Sequence, residues 1–440
     1  MVTRPLTAED GAAPAMATTI NPAIATVRRA RRPCCTFPGM PKGYRSLLSA
    51  STRVASPRVP ALILAFTAGI AAPLASQQPD IEASVHGLVL MNAFHTTDNV
   101  NNSDVPQFAV PATPATPEAS TSSATIRQSR VTVFALVPEF AGGAIKGELD
   151  VDFFGGQQPS TGGRTFPLLR VRRAVAELIW SRVALLVGQE SPPIAAVSPS
   201  SLASIGFPDF AGAGNLWLWI PQIRLSADLA PAGGVRVGAE VAALAPTSGE
   251  PQGTFVTQPD IAERSGRPFL QGRLRARWGE GERLGEVSAG GHYGWILDAS
   301  GGRVPSKAVA VSIWTPIGNW LELRAEGFTG QALAGLGGGG IGQNMVRDGV
   351  PVRAMGGWAQ LNLRPSMQWE IGGGAGMDDP DDEDLGDPSR LRNLAVEGHL
   401  TWRRLPAVVG LEVRHLRTRY RPPVADLSAT QVNLGMGFEF

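Results

Sequence analysis

The feature that most constrains this chain is a two-residue alternation of polar and apolar side chains that recurs from about residue 82 to the C terminus. In residues 146–153 every even position is charged and every odd position is apolar or glycine. Residues 269–278 set glutamine and three arginines in one row against leucine, glycine, alanine and tryptophan in the other. Successive side chains of a β-strand point to opposite faces. The pattern therefore predicts strands with one wet face and one apolar face.

Reading the alternation along the chain predicts about sixteen strands of roughly ten residues, the length of a membrane-spanning strand. They are expected near residues 82–92, 126–137, 144–153, 164–179, 182–189, 216–229, 234–246, 268–279, 285–297, 306–315, 319–330, 355–364, 367–377, 392–403, 406–418 and 429–440.

The connections between these strands alternate in length. Short turns such as 180–181 and 404–405 are followed by long loops such as 190–215 and 331–354. Transmembrane barrels show this rhythm, with short turns on one side of the membrane and long loops on the other. The fold class predicted is all-β: a transmembrane antiparallel β-barrel of about sixteen strands, with short periplasmic turns and long extracellular loops.

The N-terminal region carries one long apolar run, residues 59–72, preceded by arginines and followed by small and polar residues. It is shorter than the roughly 20 residues of a membrane helix, and its flanks are those of a secretory signal peptide. We interpret 53–76 as a signal peptide, 1–52 as a non-native or disordered leader, and 77–440 as the barrel. Both cysteines, Cys34 and Cys35, lie in the leader, so no disulfide is expected in the exported part.

The C-terminal strand alternates perfectly and ends on Phe440. A terminal phenylalanine on such a strand is similar to the assembly signal of bacterial outer-membrane proteins. Aromatic residues near strand ends are expected in girdles at the two membrane interfaces. These are Trp217, Trp219, Trp278, Trp295, Trp314, Trp320, Trp402 and Tyr420.

Sixteen strands enclose an aqueous channel, whereas eight would be filled by side chains. The connection 190–215 is rich in proline and carries its own apolar groups. It is therefore a candidate constriction loop that folds into the pore; an exposed flap is the alternative.

The polar rows identify the residues expected to line the channel. Their arginine excess suggests a preference for anions, since a charged wall steers solutes of opposite sign; mutual neutralisation of the charges is the alternative. Arg173 falls on the opposite parity from Arg170 and Arg172, which a β-bulge would reconcile. The expected pore-lining set is Arg130, Glu148, Asp150, Asp152, Arg170, Arg172, Arg224, Arg236, Arg273, Arg275 and Arg277.

Catalytic and cofactor motifs are missing from the sequence of the barrel region. The five histidines show no metal-ligand spacing, and the acidic run 378–387 lacks the spacing of a calcium loop. It is interpreted as a solvated outer loop. We therefore expect no catalytic residues, no metal, no cofactor and no nucleic-acid partner.

Four segments resemble a known family: RQSRVTV at 127–133, KGELDVDFFGG at 146–156, LLRVRRAVAEL at 168–178 and LLVGQESPP at 185–193. They look like the opening strands of the DcaP-like and phosphate-selective-type trimeric outer-membrane porins. The resemblance implies a sixteen-stranded homotrimeric diffusion channel. It also implies pore-lining roles for Arg130, Glu148, Asp150, Asp152, Arg170 and Arg172.

The function predicted is a porin in the bacterial outer membrane. It would contact outer-membrane lipid and pass small hydrophilic solutes, with a mild anion preference, by passive diffusion. The alternative is a barrel with a narrow or plugged lumen that serves as an adhesin or a structural binding protein. An enzyme is not expected.

Replacing Arg273, Arg275 and Arg277 together with alanine is expected to lower anion preference, because the substitutions would remove three positive charges from the channel wall. The reversal potential of the channel in a KCl gradient measures this preference. Unchanged ion selectivity would contradict the assignment of this row to the lumen, and a cation-selective wild type would contradict the anion preference.

Overall fold

A computed structural model describes residues 80–114, 116–155, 167–229, 234–249, 258–279 and 283–440. The predicted leader (1–52) and signal peptide (53–76) lie outside these residues. The described strands are β1 Glu82–Thr96, β2 Thr121–Thr125, β3 Arg130–Phe140, β4 Gly143–Gly155, β5 Leu168–Ile179, β6 Val183–Glu190, β7 Ile220–Asp228, β8 Val235–Leu244, β9 Phe269–Trp278, β10 Gly285–Leu297, β11 Arg303–Ile317, β12 Leu321–Gln331, β13 Met345–Arg347, β14 Val350–Pro351, β15 Arg353–Ser366, β16 Trp369–Pro380, β17 Arg390–Arg404, β18 Ala407–Tyr420 and β19 Leu427–Glu439.

The strands form a closed antiparallel barrel of 16 strands, as the alternation predicts. Each strand pairs with its neighbours in sequence, and β1 pairs with β19 to complete the circle. β2 and β3 together make one position in the barrel, because β2 pairs with the C-terminal part of β1 and β3 pairs with its N-terminal part. β13 and β14 form a separate small hairpin inside a loop.

The closing seam extends to the last residue of the chain. Phe440 N donates to the carbonyl of Gly87 at 3.0 Å, and Gly87 N donates to the carbonyl of Phe440 at 2.8 Å. The Phe440 ring lies over Gly87 and is 47% exposed. The C-terminal residue thus completes the hydrogen-bonded circle, and its ring belongs to the outer surface.

The two faces of the wall differ sharply in chemistry. On the inner face the side chains are polar or charged and buried, among them Asn92, Thr132, Asp150, Gln222, Glu240, Arg273, Ser288, Glu322, Gln360, Glu397, Glu412 and Asn433. On the outer face they are apolar and exposed, among them Val89, Val133, Leu149, Val187, Ile223, Val241, Leu274, Val287, Val311, Leu361, Ile371, Val396, Leu411 and Leu434. Such a continuous exposed apolar band is stable only against lipid.

Most of the loops at the long-loop end carry little regular structure. The described 3₁₀ turns are Glu263–Ser265, Ala334–Leu336, Gly340–Gly342 and Asp382–Asp384. Among the described residues, no helix is both long and apolar enough to cross a membrane.

Most predicted strands differ from the observed ones by a few residues at their ends, and two of these differences have a cause in the hydrogen bonding of the loops. Residues 216–219, predicted as strand, belong to the preceding loop, because Trp217 N and Leu218 N donate to Leu336 O at 3.0 and 3.2 Å. The first four residues of the predicted strand 126–137 form a turn, in which Ser129 N donates to Ile126 O at 3.0 Å, so β3 begins only at Arg130 and β2 lies before the predicted strand.

Gly87→Val is expected to destabilise the barrel by about 1 kcal/mol, the low end of overpacking effects, because the displaced ring of Phe440 is half-exposed. A Cβ atom at Gly87 would lie 2.3 Å from Cζ of Phe440, so the terminal ring must leave its place. Gly147→Val is the matched control, because the nearest atom to a Cβ there is 3.7 Å away. Heat-modifiable gel mobility over a temperature series measures the difference. Equal transition temperatures for the two variants would contradict a role for the Phe440 seam.

Candidate functional site

The connection between β6 and β7, residues 191–219, lies inside the barrel; we call it the inner loop. It makes hydrogen bonds with side chains around most of the inner wall. Following the inner loop from its start, the wall side chains that it meets are Gln271 on β9, Arg324 on β12, Gln360 on β15, Glu370 on β16, Glu412 on β18, Asn92 on β1, Gln128 before β3 and Arg170 on β5. The loop therefore circles the wall instead of extending into solvent.

Gln128 provides the most connected of these contacts. Its Nε2 donates to Ala203 O at 2.8 Å, and its Oε1 accepts from Ile205 N and Gly206 N at 2.6 and 2.9 Å. Gln128 is fully buried. The turn between β2 and β3 is what brings this side chain to the inner loop.

A first ion-pair group lies where β3, β4 and β5 meet the inner loop. Arg170 donates through Nε and Nη2 to the two carboxylate oxygens of Asp152 at 3.0 and 2.6 Å, and also to Gly206 O at 2.6 Å. Arg130 donates to Asp150 at 2.5 Å. Arg172 lies between the two carboxylates, 3.6 Å from Asp150 and 3.8 Å from Asp152. Asp150 and Asp152 thus both lie within ion-pair distance of Arg172.

The parity conflict on β5 is resolved by a bulge at Arg172. Asp150 is opposite Arg173 while Val151 is opposite Val171, so Arg172 is the extra residue. Arg173 then reaches the same inner face, where it pairs with Glu148 at 2.5 Å and with Glu190. A bulge thus lets consecutive arginines both face inward.

Aromatic rings of the inner loop cover this first group. The Trp219 ring lies 4.5 Å from the guanidinium of Arg172 and 5.3 Å from that of Arg170, within cation–π range. Trp217 packs edge to face on Trp219 and is 7% exposed. Placing these two tryptophans in an interfacial girdle was wrong, because residues 216–219 are loop and not strand. Trp314 and Tyr420 likewise face inward, where they bond to Glu322 and Ala109 O.

A second ion-pair group lies on β7 to β10. Arg273 pairs with Glu240 at 3.0 Å and with Glu286 at 3.1 Å. Arg277 pairs with Glu286 at 2.5 Å, and Arg275 pairs with Glu240 and with Asp228. Arg224 lies 3.9 Å from Glu240.

Glu240 and Glu286 belong to this group but were not among the residues predicted to line the channel. Both have the parity of the inward row on their strands, so the signal was present, but single carboxylates in otherwise apolar strands did not stand out. The register is what places Glu240 directly opposite Arg273 and Glu286 opposite Arg277. Arg236, the remaining predicted member, is exposed near the start of β8.

The inner loop contributes its own buried carboxylate, Asp209. It accepts a hydrogen bond from Arg414, which also donates to Glu412 at 2.7 Å and to Pro106 O at 3.1 Å. One guanidinium thus joins the inner loop, β18 and the first long loop.

Comparison with known proteins supports the fold. The outer-membrane channel DcaP of Acinetobacter baumannii superposes with a TM-score of 0.61 at 17% identity, covering 82% of this chain and 97% of the other. OmpF of Salmonella typhi, solved with daunomycin, superposes with a TM-score of 0.50 at 10% identity, covering 81% and 97%. No protein-family model and no curated protein matches the sequence. The resemblance to DcaP-like porins is confirmed at the level of the fold.

Gln128→Leu is expected to release the inner loop locally, because three hydrogen bonds are lost and buried loop groups stay unsatisfied. A cost of about 2–4 kcal/mol follows from about 1 kcal/mol per bond. Hydrogen–deuterium exchange of the amides of residues 203–206 measures the effect and should rise at least tenfold. The exposed Gln368→Leu serves as control. Unchanged exchange in Gln128→Leu would show that other contacts hold the loop.

Proposed function

We propose that the protein is a passive diffusion channel of the bacterial outer membrane for small hydrophilic solutes. The observation that carries the proposal is a closed barrel of 16 strands with an apolar outer face and an inner face of charged and polar side chains. Sixteen-stranded barrels of this kind leave room for water. The inner loop would act as the constriction that sets the size of the solutes.

The residues proposed to line the passage are those of the two ion-pair groups together with Arg236. Seven of the eight predicted arginines have a carboxylate within 4.0 Å. Because most of these positive charges have a carboxylate neighbour, we propose that anion preference is weak and that the wall acts mainly as a polar, strongly hydrated surface. Dipolar solutes would orient in the transverse field between paired charges.

We further propose that the protein assembles as a homotrimer embedded in outer-membrane lipid. The support is the resemblance of residues 127–193 to the opening strands of trimeric porins, together with the exposed apolar band. No catalytic step is part of the proposal.

A second candidate is a barrel with a narrow lumen that binds a partner through its loops. One observation favours it: an apolar cluster inside the wall joins Ile194 and Leu216 of the inner loop to Phe269 on β9 and to Leu333 and Leu336 of another loop. These groups fill part of the interior beside β7 to β12.

Conductance across a planar lipid bilayer separates the two candidates. The refolded protein is expected to open in discrete steps of constant size. A variant in which residues 196–205 are replaced by a short glycine–serine linker should show larger steps, because the constriction is shortened. Channels that never open in either protein would contradict the porin proposal and favour the second candidate. Steps of equal size in both would contradict the constricting role of the inner loop.

A further inference from the structure

We propose that Glu397, His399 and Glu412 form a binding site for a divalent transition-metal ion, with Zn²⁺ as the reference ion. The site lies on the inner wall beneath the inner loop and outside both ion-pair groups. It is an additional property of the barrel and does not depend on solute diffusion.

The strand register brings the three side chains together. Glu397 and His399 are two apart on β17 and so share the inner face, and Glu412 on β18 is directly opposite His399. One potential ligand atom from each residue lies within 4.8 Å of the other two. All three residues are buried. The spacing along the sequence gives no hint of this, because the set is assembled across strands.

His399 supplies a second, independent observation. Its side chain is 2% exposed, and its Nε2 atom is buried without a hydrogen-bond partner in the described part of the chain. The other ring nitrogen, Nδ1, lies 3.1 Å from Glu397 Oε2, whereas Nε2 is 3.5 Å from Glu370 Oε1. A buried imidazole nitrogen that accepts or donates no hydrogen bond and has carboxylates nearby is suited to coordinate a cation.

The charges around His399 also leave room for a cation. Three carboxylates lie close to it: Glu370 and Glu397 beside the ring nitrogens, and Glu412 in the same cluster. The guanidiniums that pair with them are Arg414, with Glu412, and Arg364, with Glu370. Three carboxylates against two guanidiniums, which are also shared with Asp209 and Glu322, leave an excess of negative charge when the imidazole is neutral. Buried charge of one sign is costly unless it is compensated, and a divalent cation would supply the compensation.

Neighbouring groups hold the carboxylates in place. Gln360 Nε2 donates to Glu397 Oε1 at 2.9 Å, and Ser201 Oγ of the inner loop donates to Glu412 Oε2 at 2.5 Å. Such outer contacts orient metal ligands and raise their affinity. One nitrogen and two carboxylate oxygens suit Zn²⁺ better than Mg²⁺, which prefers oxygen ligands and keeps its water.

Zinc titration of the refolded full-length barrel, stripped of metal and monitored with a competing fluorescent chelator, tests the proposal. We expect one tight Zn²⁺ per chain and no comparable binding of Mg²⁺. His399→Gln and Glu397→Gln should each weaken the tight site at least tenfold. His292→Gln is the matched control, because His292 is also a buried inward histidine but both of its ring nitrogens have partners, Gln271 and Ser306.

A competing explanation is a protonated His399 that bridges Glu370 and Glu397 without any metal. In that case the wild type binds no tight Zn²⁺, or His399→Gln binds it as well as the wild type does, and either result overturns the proposal. Heat-modifiable gel mobility of each variant verifies that the barrel has formed. His415→Gln checks for binding at an exposed histidine, and a loss of tight binding in that variant would also overturn the assignment.

Discussion

The interaction on which the rest of this structure depends is the backbone hydrogen bonding that closes β19 onto β1. In hydrocarbon an unpaired N–H or C=O group has no water to bond, so a sheet can cross the membrane only if it has no edge. The closure here reaches the final residue, where Phe440 exchanges two hydrogen bonds with Gly87. Closure fixes the register of every strand, and the register decides which side chains face inward. The apolar side chains of each strand then face lipid, and its polar side chains face the interior of the barrel.

Closure also creates the interior that the inner loop and the charged rows must share. Loop carbonyls and amides inside the barrel need partners, and side chains such as Gln128, Gln360 and Arg414 provide them. The arginines meet carboxylates of adjacent strands instead of standing alone, because an unpaired charge in a confined interior is costly. The resulting wall is dense in charge and close to balanced, which is why we infer hydrophilic passage with weak selectivity.

Much of the fold could be predicted because successive side chains of a strand face opposite sides of the wall, which gives the sequence its two-residue period. The number of strands, the loop rhythm, the outer position of Phe440 and the inward position of Arg273 all follow from it. Most pairings across strands could not be predicted, since they depend on register: Glu240 opposite Arg273 and Glu412 opposite His399 are examples. The inward position of Trp217 and Trp219 could not be predicted either, because this segment forms backbone hydrogen bonds with a distant loop and not with a neighbouring strand.

The sidedness of the wall is tested most directly by labelling single cysteines in the barrel reconstituted into liposomes. Cys34 and Cys35 are first removed, and two single-cysteine variants are then made. They are Lys146→Cys on the inner row and Leu274→Cys on the outer row, where the native Leu274 is 61% exposed. We expect a hydrophilic maleimide to label position 146 only, and brominated lipid tails to quench a fluorophore at position 274 only. Labelling of position 274 by the hydrophilic reagent, or quenching at 146, would contradict a closed barrel with this inside and outside.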